Sequence, residues 1–90
     1  MKTQNELIKI LSSKYITTKF RTSEDFNNSV GGIWICGGEP TNSKGRIFNY
    51  YATKKNYELG VQKSFIKSME KIGWLCEWYD CGTMFLWPNK

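Results

Sequence analysis

Ninety residues carrying 4 Trp, 5 Tyr and 5 Phe suffice for one small domain with a ring-rich core and exclude a multidomain chain. A net charge of +5, from 13 basic and 8 acidic side chains, makes the surface attractive to polyanions or to an acidic protein. Three cysteines argue against a secreted disulfide framework, the lack of histidine removes the commonest proton shuttle, and no apolar run approaches the roughly 20 residues of a membrane span.

The opening MKTQNELIKIL sets Gln, Asn and Glu where a signal peptide needs apolar residues, so a reduced, cytoplasmic setting is expected. Thr3 and Glu6 match the S/T-x-x-E capping box. They predict a helix from Thr3 to about Lys14, with Leu7, Ile8, Leu11 and Tyr15 on one apolar stripe. YITTKFRT alternates, with Ile16, Thr18 and Phe20 on one side, and reads as a half-buried strand. SEDFNNSV is a loop or a single helical turn begun by Ser23. GGIWICGG, with its apolar run between glycines, reads as a more buried strand.

CGGEPTNSKGR follows, and its glycines and Ser-Lys pair invite comparison with a phosphate-binding loop. Such a loop needs G-x-x-x-x-G-K-[ST] opening a helix, whose N-terminus then faces the phosphates. Ser43-Lys44-Gly45 reverses that order, and the strand-like RIFNYYAT comes next. The segment therefore reads as a hairpin connection, with Lys44 and Arg46 at its tip.

RIFNYYAT is expected to be the third strand. A second helix is expected from about Asn56 to Gly73, with Val61, Phe65, Met69 and Ile72 as its core face and Gly73 as its cap. WLCEWYDCGTMFLWP reads as a hairpin turning at Asp80-Cys81-Gly82, which pairs Trp78 with Met84 and Cys76 with Leu86. The predicted fold is a single α+β domain of order α-β-β-β-α-β-β. It has an antiparallel sheet of three to five strands and two helices on one face.

Two groups of side chains are candidate binding residues. Lys63, Lys67 and Lys71 form one ridge opposite the core stripe of the second predicted helix. With Lys44, Arg46, Lys54 and Lys55 they could contact a phosphate backbone, although a solvated helix face needs the same residues and Glu70 interrupts the row. Trp34, Tyr50 and Trp78 are the second group. Two helices cover one face of a sheet, so rings on the other face are free to stack bases or to meet a protein partner.

KGRIFNYY resembles the RNP1 signature of RNA-recognition motifs at Lys44, Gly45, Phe48 and Tyr51, and departs from it at Arg46, Ile47 and Asn49. The expected element order from Thr3 to Gly73 is similar to that of double-stranded-RNA-binding domains. It lacks the glycine and small-residue run that they carry in the last helix, so the likeness is one of topology.

The expectation is a non-enzymatic binding protein without cofactor, and RNA is favoured over duplex DNA because no helix presents base-reading Arg, Asn or Gln. One alternative is an inhibitor that binds a host enzyme or a defence toxin. Another is a metal-free ribonuclease resembling the RelE-like toxins. Lysine outnumbers arginine 11 to 2, a bias of A/T-rich genomes that suits a phage accessory protein. Cys36, Cys76 and Cys81 without histidine do not complete the usual four-ligand zinc site, and an exposed edge strand is a route to a homodimer.

Overall fold

In the computed structural model, which describes residues 2–43 and 45–89, the capping box at the chain start is formed. The Thr3 hydroxyl accepts from the Glu6 N–H at 3.2 Å, and the Glu6 carboxylate accepts from the Thr3 N–H at 3.0 Å. These bonds satisfy two of the amide donors left open at a helix start. The helix they begin, α1, is Gln4–Lys14, with Leu7 and Leu11 buried.

Chain order continues with β1 (Lys19–Thr22), α2 (Glu24–Asn27) and β2 (Ile33–Gly37). Next come two short hairpins, β3 (Thr41–Asn42) with β4 (Gly45–Arg46) and β5 (Tyr57–Glu58) with β6 (Val61–Gln62). The last elements are α3 (Lys63–Lys71), β7 (Trp74–Asp80) and β8 (Thr83–Pro88). The main sheet is antiparallel in the order β1-β2-β8-β7. The expected α+β class and antiparallel sheet hold, and so does the terminal hairpin register: Trp78 faces Met84 and Cys76 faces Leu86.

The middle of the chain departs from expectation. RIFNYYAT adds no strand to the sheet, because β2 is already paired on one side with β1 and on the other with β8. Ile47 and Phe48 instead plug into the core, 0% and 9% exposed. Past Asn49 the chain turns, with the Ala52 N–H bonded to the Asn49 carbonyl at 2.8 Å.

The second long helix starts at Lys63 rather than near Asn56. Leu59 and Gly60 both have positive φ, 49° and 77°, the backbone of a tight hairpin turn and not of a right-handed helix. A Cβ on Gly60 would lie 2.8 Å from the Asn49 carbonyl oxygen. Glycine there lets the hairpin close against the 49–50 backbone. Val61 is buried as expected, but from β6. The first strand is also shorter than YITTKFRT, since Tyr15–Thr18 forms a turn that leaves Ile16 exposed.

One face of the sheet holds the main core. Phe20, Ile33, Ile35, Met84 and Leu86 pack with Leu7, Leu11, Phe65 and Met69 from α1 and α3. Trp74 joins them, and its indole N–H donates to the Lys2 carbonyl at 2.9 Å, which fastens the chain start to β7. Burial, and secondly the Glu70 carboxylate, push the Cys76 thiol up to about 12. It therefore packs as a neutral group.

The other face is not left open. Trp34, Tyr79 and Phe85 lie there, and Phe26 of α2 meets all three edge-on at 4.9 to 5.1 Å between ring centroids. Phe85 is 2% exposed as a result. The segment SEDFNNSV thus contains the single helical turn after Ser23, one of its two expected forms, and a single ring from it covers part of the second face. Ser23 is fully buried, and its hydroxyl clasps the following loop. It donates to the Ser29 carbonyl at 2.7 Å and accepts from the Gly32 N–H at 2.9 Å.

Candidate nucleic-acid interface

Residues between β2 and α3 fold back over one end of the sheet, and Gln62 ties them down. Its side chain is buried and exchanges hydrogen bonds with the Asn42 amide at 2.8 and 3.2 Å. Its Nε2 also donates to the carbonyls of Gly45 and Arg46, at 3.3 and 3.0 Å. The Tyr57 hydroxyl donates to the Arg46 carbonyl as well. One amide side chain therefore connects the β3–β4 ribbon to the start of α3.

Above this anchor the loop presents Tyr50 and Tyr51, 46% and 76% exposed. Their rings meet edge-on at 5.2 Å, and Tyr50 meets Trp78 at the same distance. Trp78 is half-buried and donates its indole N–H to the Leu59 carbonyl at 2.7 Å, so it is a fixed support. Tyr51 also interacts with the Cys81 thiol at the β7–β8 turn, which raises the phenol above its ordinary value. A shallow cleft of about 130 Å³ adjoins these rings, lined by Arg46, Phe48, Tyr50, Trp78 and Cys81 among others.

The basic residues divide into two groups. Lys54 and Lys55 are exposed in a turn closed by the Tyr57 N–H and the Lys54 carbonyl at 3.0 Å. The Lys63 N–H bonds the Asn56 carbonyl at 2.8 Å, so this turn abuts the first residue of α3. Lys54, Lys55 and Lys63 thus belong to one end of the molecule, where the positive end of the helix dipole adds to their field.

Lys67 and Lys71 continue along the exposed side of α3, away from that end. Lys63 and Lys67 share a surface groove with Glu58 and Glu70, so the row is not a uniformly positive track. Arg46 pairs with Glu39 at 2.8 Å, with both side chains half or more exposed. An exposed pair of this kind is weak, and a phosphate can compete with Glu39 for the guanidinium.

Of the aromatics expected to act together, Tyr50 and Trp78 are in contact. Trp34 is on the opposite face of the sheet, against Phe26, and belongs to no common platform with them. Lys44 lies outside the described residues. Sequence reasoning missed Gln62 as an anchor, because it fell inside the expected helix, where a glutamine reads as a polar surface position. Tyr51 was legible through the RNP1 likeness, although Trp34 was preferred to it as a stacking residue.

No helix among the described residues is long and apolar enough to cross a membrane. No protein-family profile matches the chain, and no curated protein or solved structure shows significant similarity to it.

Proposed function

We propose that this protein binds single-stranded RNA, with Tyr50 and Tyr51 stacking on bases and Lys54, Lys55 and Lys63 holding phosphates. The observation that carries this reading is the pair of adjacent exposed tyrosines, supported from behind by Trp78 and followed closely by two exposed lysines. Base–aromatic stacking contributes about 1–3 kcal/mol per base and tolerates any sequence, because every base has a π-face. A ring displayed on an irregular loop suits unpaired bases. A duplex hides its base faces and is read instead by elements that fit a groove.

Arg46 extends the site on the side of the cleft. Lys67 and Lys71 are secondary, since they run away from the tyrosines and lie near Glu70 on the same helix. The role is one of binding, without cofactor or chemistry.

Two double variants test the assignment, with labelled single-stranded RNA followed by fluorescence anisotropy. Tyr50→Ala with Tyr51→Ala removes two stacking partners and is expected to weaken binding at least about tenfold. Lys54→Glu with Lys55→Glu is expected to lower affinity and to make the salt dependence shallower by more than about 1 in log–log slope. Unchanged affinity in both variants would exclude this loop as the interface.

A further inference from the structure

A second surface, lined by carboxylates, lies along the edge strand of the sheet and adjoins the first at Trp78, with Lys63 and Lys67 beside two of its carboxylates, Glu58 and Glu70. β7 is the last strand in the order β1-β2-β8-β7, so one side of its backbone has no strand partner among the described residues. A groove of about 340 Å³ runs there, between β7, the β5–β6 turn and α3. Residues from both faces of β7 line it. Trp74 and Trp78 have side chains on the core face, while Leu75 and Glu77 alternate with them and point the other way. A groove lined from both faces of a strand lies beside that strand, along its edge, and not above the sheet.

The opposite wall is apolar, with Val61 from β6 and Ile66 from α3. Among the described residues, the charged side chains lining the groove are Glu58, Glu70 and Glu77. All three are carboxylates, in a chain whose net charge is +5.

We propose that this groove takes an extended segment of a basic protein, which adds a strand to β7, sets apolar side chains into the groove and brings Lys or Arg to Glu58, Glu70 and Glu77. Main-chain hydrogen bonds to the free edge supply affinity in such strand addition, and alternate side chains supply specificity. The groove follows Trp74 to Trp78, so at about 3.4 Å per residue the segment has roughly five to seven residues. A second copy of this chain fits less well. Two-fold antiparallel pairing of β7 centred on its midpoint, Glu77, would set the Glu77 carboxylates of the two copies opposite each other, and like charges across strands repel. Nucleic acid is disfavoured by the same three carboxylates.

The rim offers a variant that does not endanger folding. Leu59 is 86% exposed at a φ of 49°, a conformation that Asn adopts more readily than Leu.

The test uses the full chain and a fluorescein-labelled ten-residue peptide alternating valine and lysine. The controls are a peptide of the same composition with its lysines clustered and one with glutamate in place of lysine. Binding is followed by anisotropy and by amide chemical shifts. The alternating basic peptide is expected to bind and to shift the amides of residues 74–78. Glu70→Lys with Glu77→Lys should weaken it at least tenfold, and Leu59→Asn should raise the melting temperature while weakening binding severalfold. Tyr51→Ala, which leaves the Tyr50–Trp78 contact in place, should still bind it, which separates this site from the proposed RNA interface. Any of three results would overturn the proposal: equal binding of the clustered-lysine peptide, unchanged affinity after charge reversal, or self-association of the free protein through β7.

Discussion

Gln62 has both side-chain polar atoms hydrogen-bonded while it is 1% exposed. Gln62→Leu keeps the volume and removes the bonds to the Asn42 amide and to the Gly45 and Arg46 carbonyls, the last of which keeps the Tyr57 hydroxyl. A typical hydrogen bond contributes about 0.5–1.5 kcal/mol net, so losing this set should appear in urea unfolding as about 1–3 kcal/mol. A loss below about 0.5 kcal/mol, the size of an ordinary surface change, would mean that Gln62 is no anchor. Glu24 offers a second test at this scale. Its carboxyl is lowered from the ordinary 4.5, first by the Gln4 side-chain amide and then by backbone N–H groups including that of Gly31. A carboxyl lowered on folding stabilises the native state above its unfolded value, and that contribution is lost as pH falls through the folded one. Below pH 4.5 the wild type should therefore lose melting temperature more steeply than Glu24→Gln. Parallel curves would contradict the pairing of Gln4 with Glu24. The sequence pattern made the Thr3–Glu6 box visible because both partners are three residues apart. Gln4 and Glu24, like Gln62 and Asn42, meet across twenty residues, and no local pattern marks such pairs.

At the scale of elements, legibility follows the range of the interactions that make each one. The first helix, the buried strand IWIC and the terminal hairpin could be read from capping, glycine boundaries and turn chemistry, all of which are local. The stretch from Arg46 to Gln62 could not, since its aromatic residues satisfy a strand pattern while the sheet has no free edge beside β2 to receive them. Val61, at helical spacing from Phe65, drew the predicted helix too far toward the N-terminus. Gly60 was the local sign against that reading, and its weight depends on Asn49 and Tyr50 packing on it. Gly60→Ala tests the point. The added methyl meets backbone at 2.8 Å with φ at 77°, so the substitution should cost about 2 kcal/mol or more. It should also weaken RNA binding, because Tyr50 sits on that backbone. A thermal melt within about a degree of wild type would contradict the hairpin, since even 1 kcal/mol moves a domain of this size by about 4–8 °C. Ser23 carries the same lesson: its place before a short helix was readable, and its role as a buried clasp was not.

Across the whole molecule, charge and aromatic exposure are unevenly distributed. Lys54 and Lys55 follow the exposed Tyr50–Tyr51 pair along the chain, while Glu58, Glu70 and Glu77 line the groove at the free edge of β7, the first two of them also beside Lys63 and Lys67. The sequence total of +5 foretold an affinity for polyanions. It did not foretell this division, because hairpin β5–β6 sets residues distant in sequence side by side. The central claim is that the tyrosine loop and its lysines hold single-stranded RNA. Anisotropy titration of the full chain with labelled single-stranded and duplex RNA, across a series of salt concentrations, tests it most directly. Three phosphate contacts predict a log–log salt slope of about −2 for the single strand, with the duplex bound more weakly. Failure to bind the single strand even at low salt, or equal affinity for the duplex, would contradict the account.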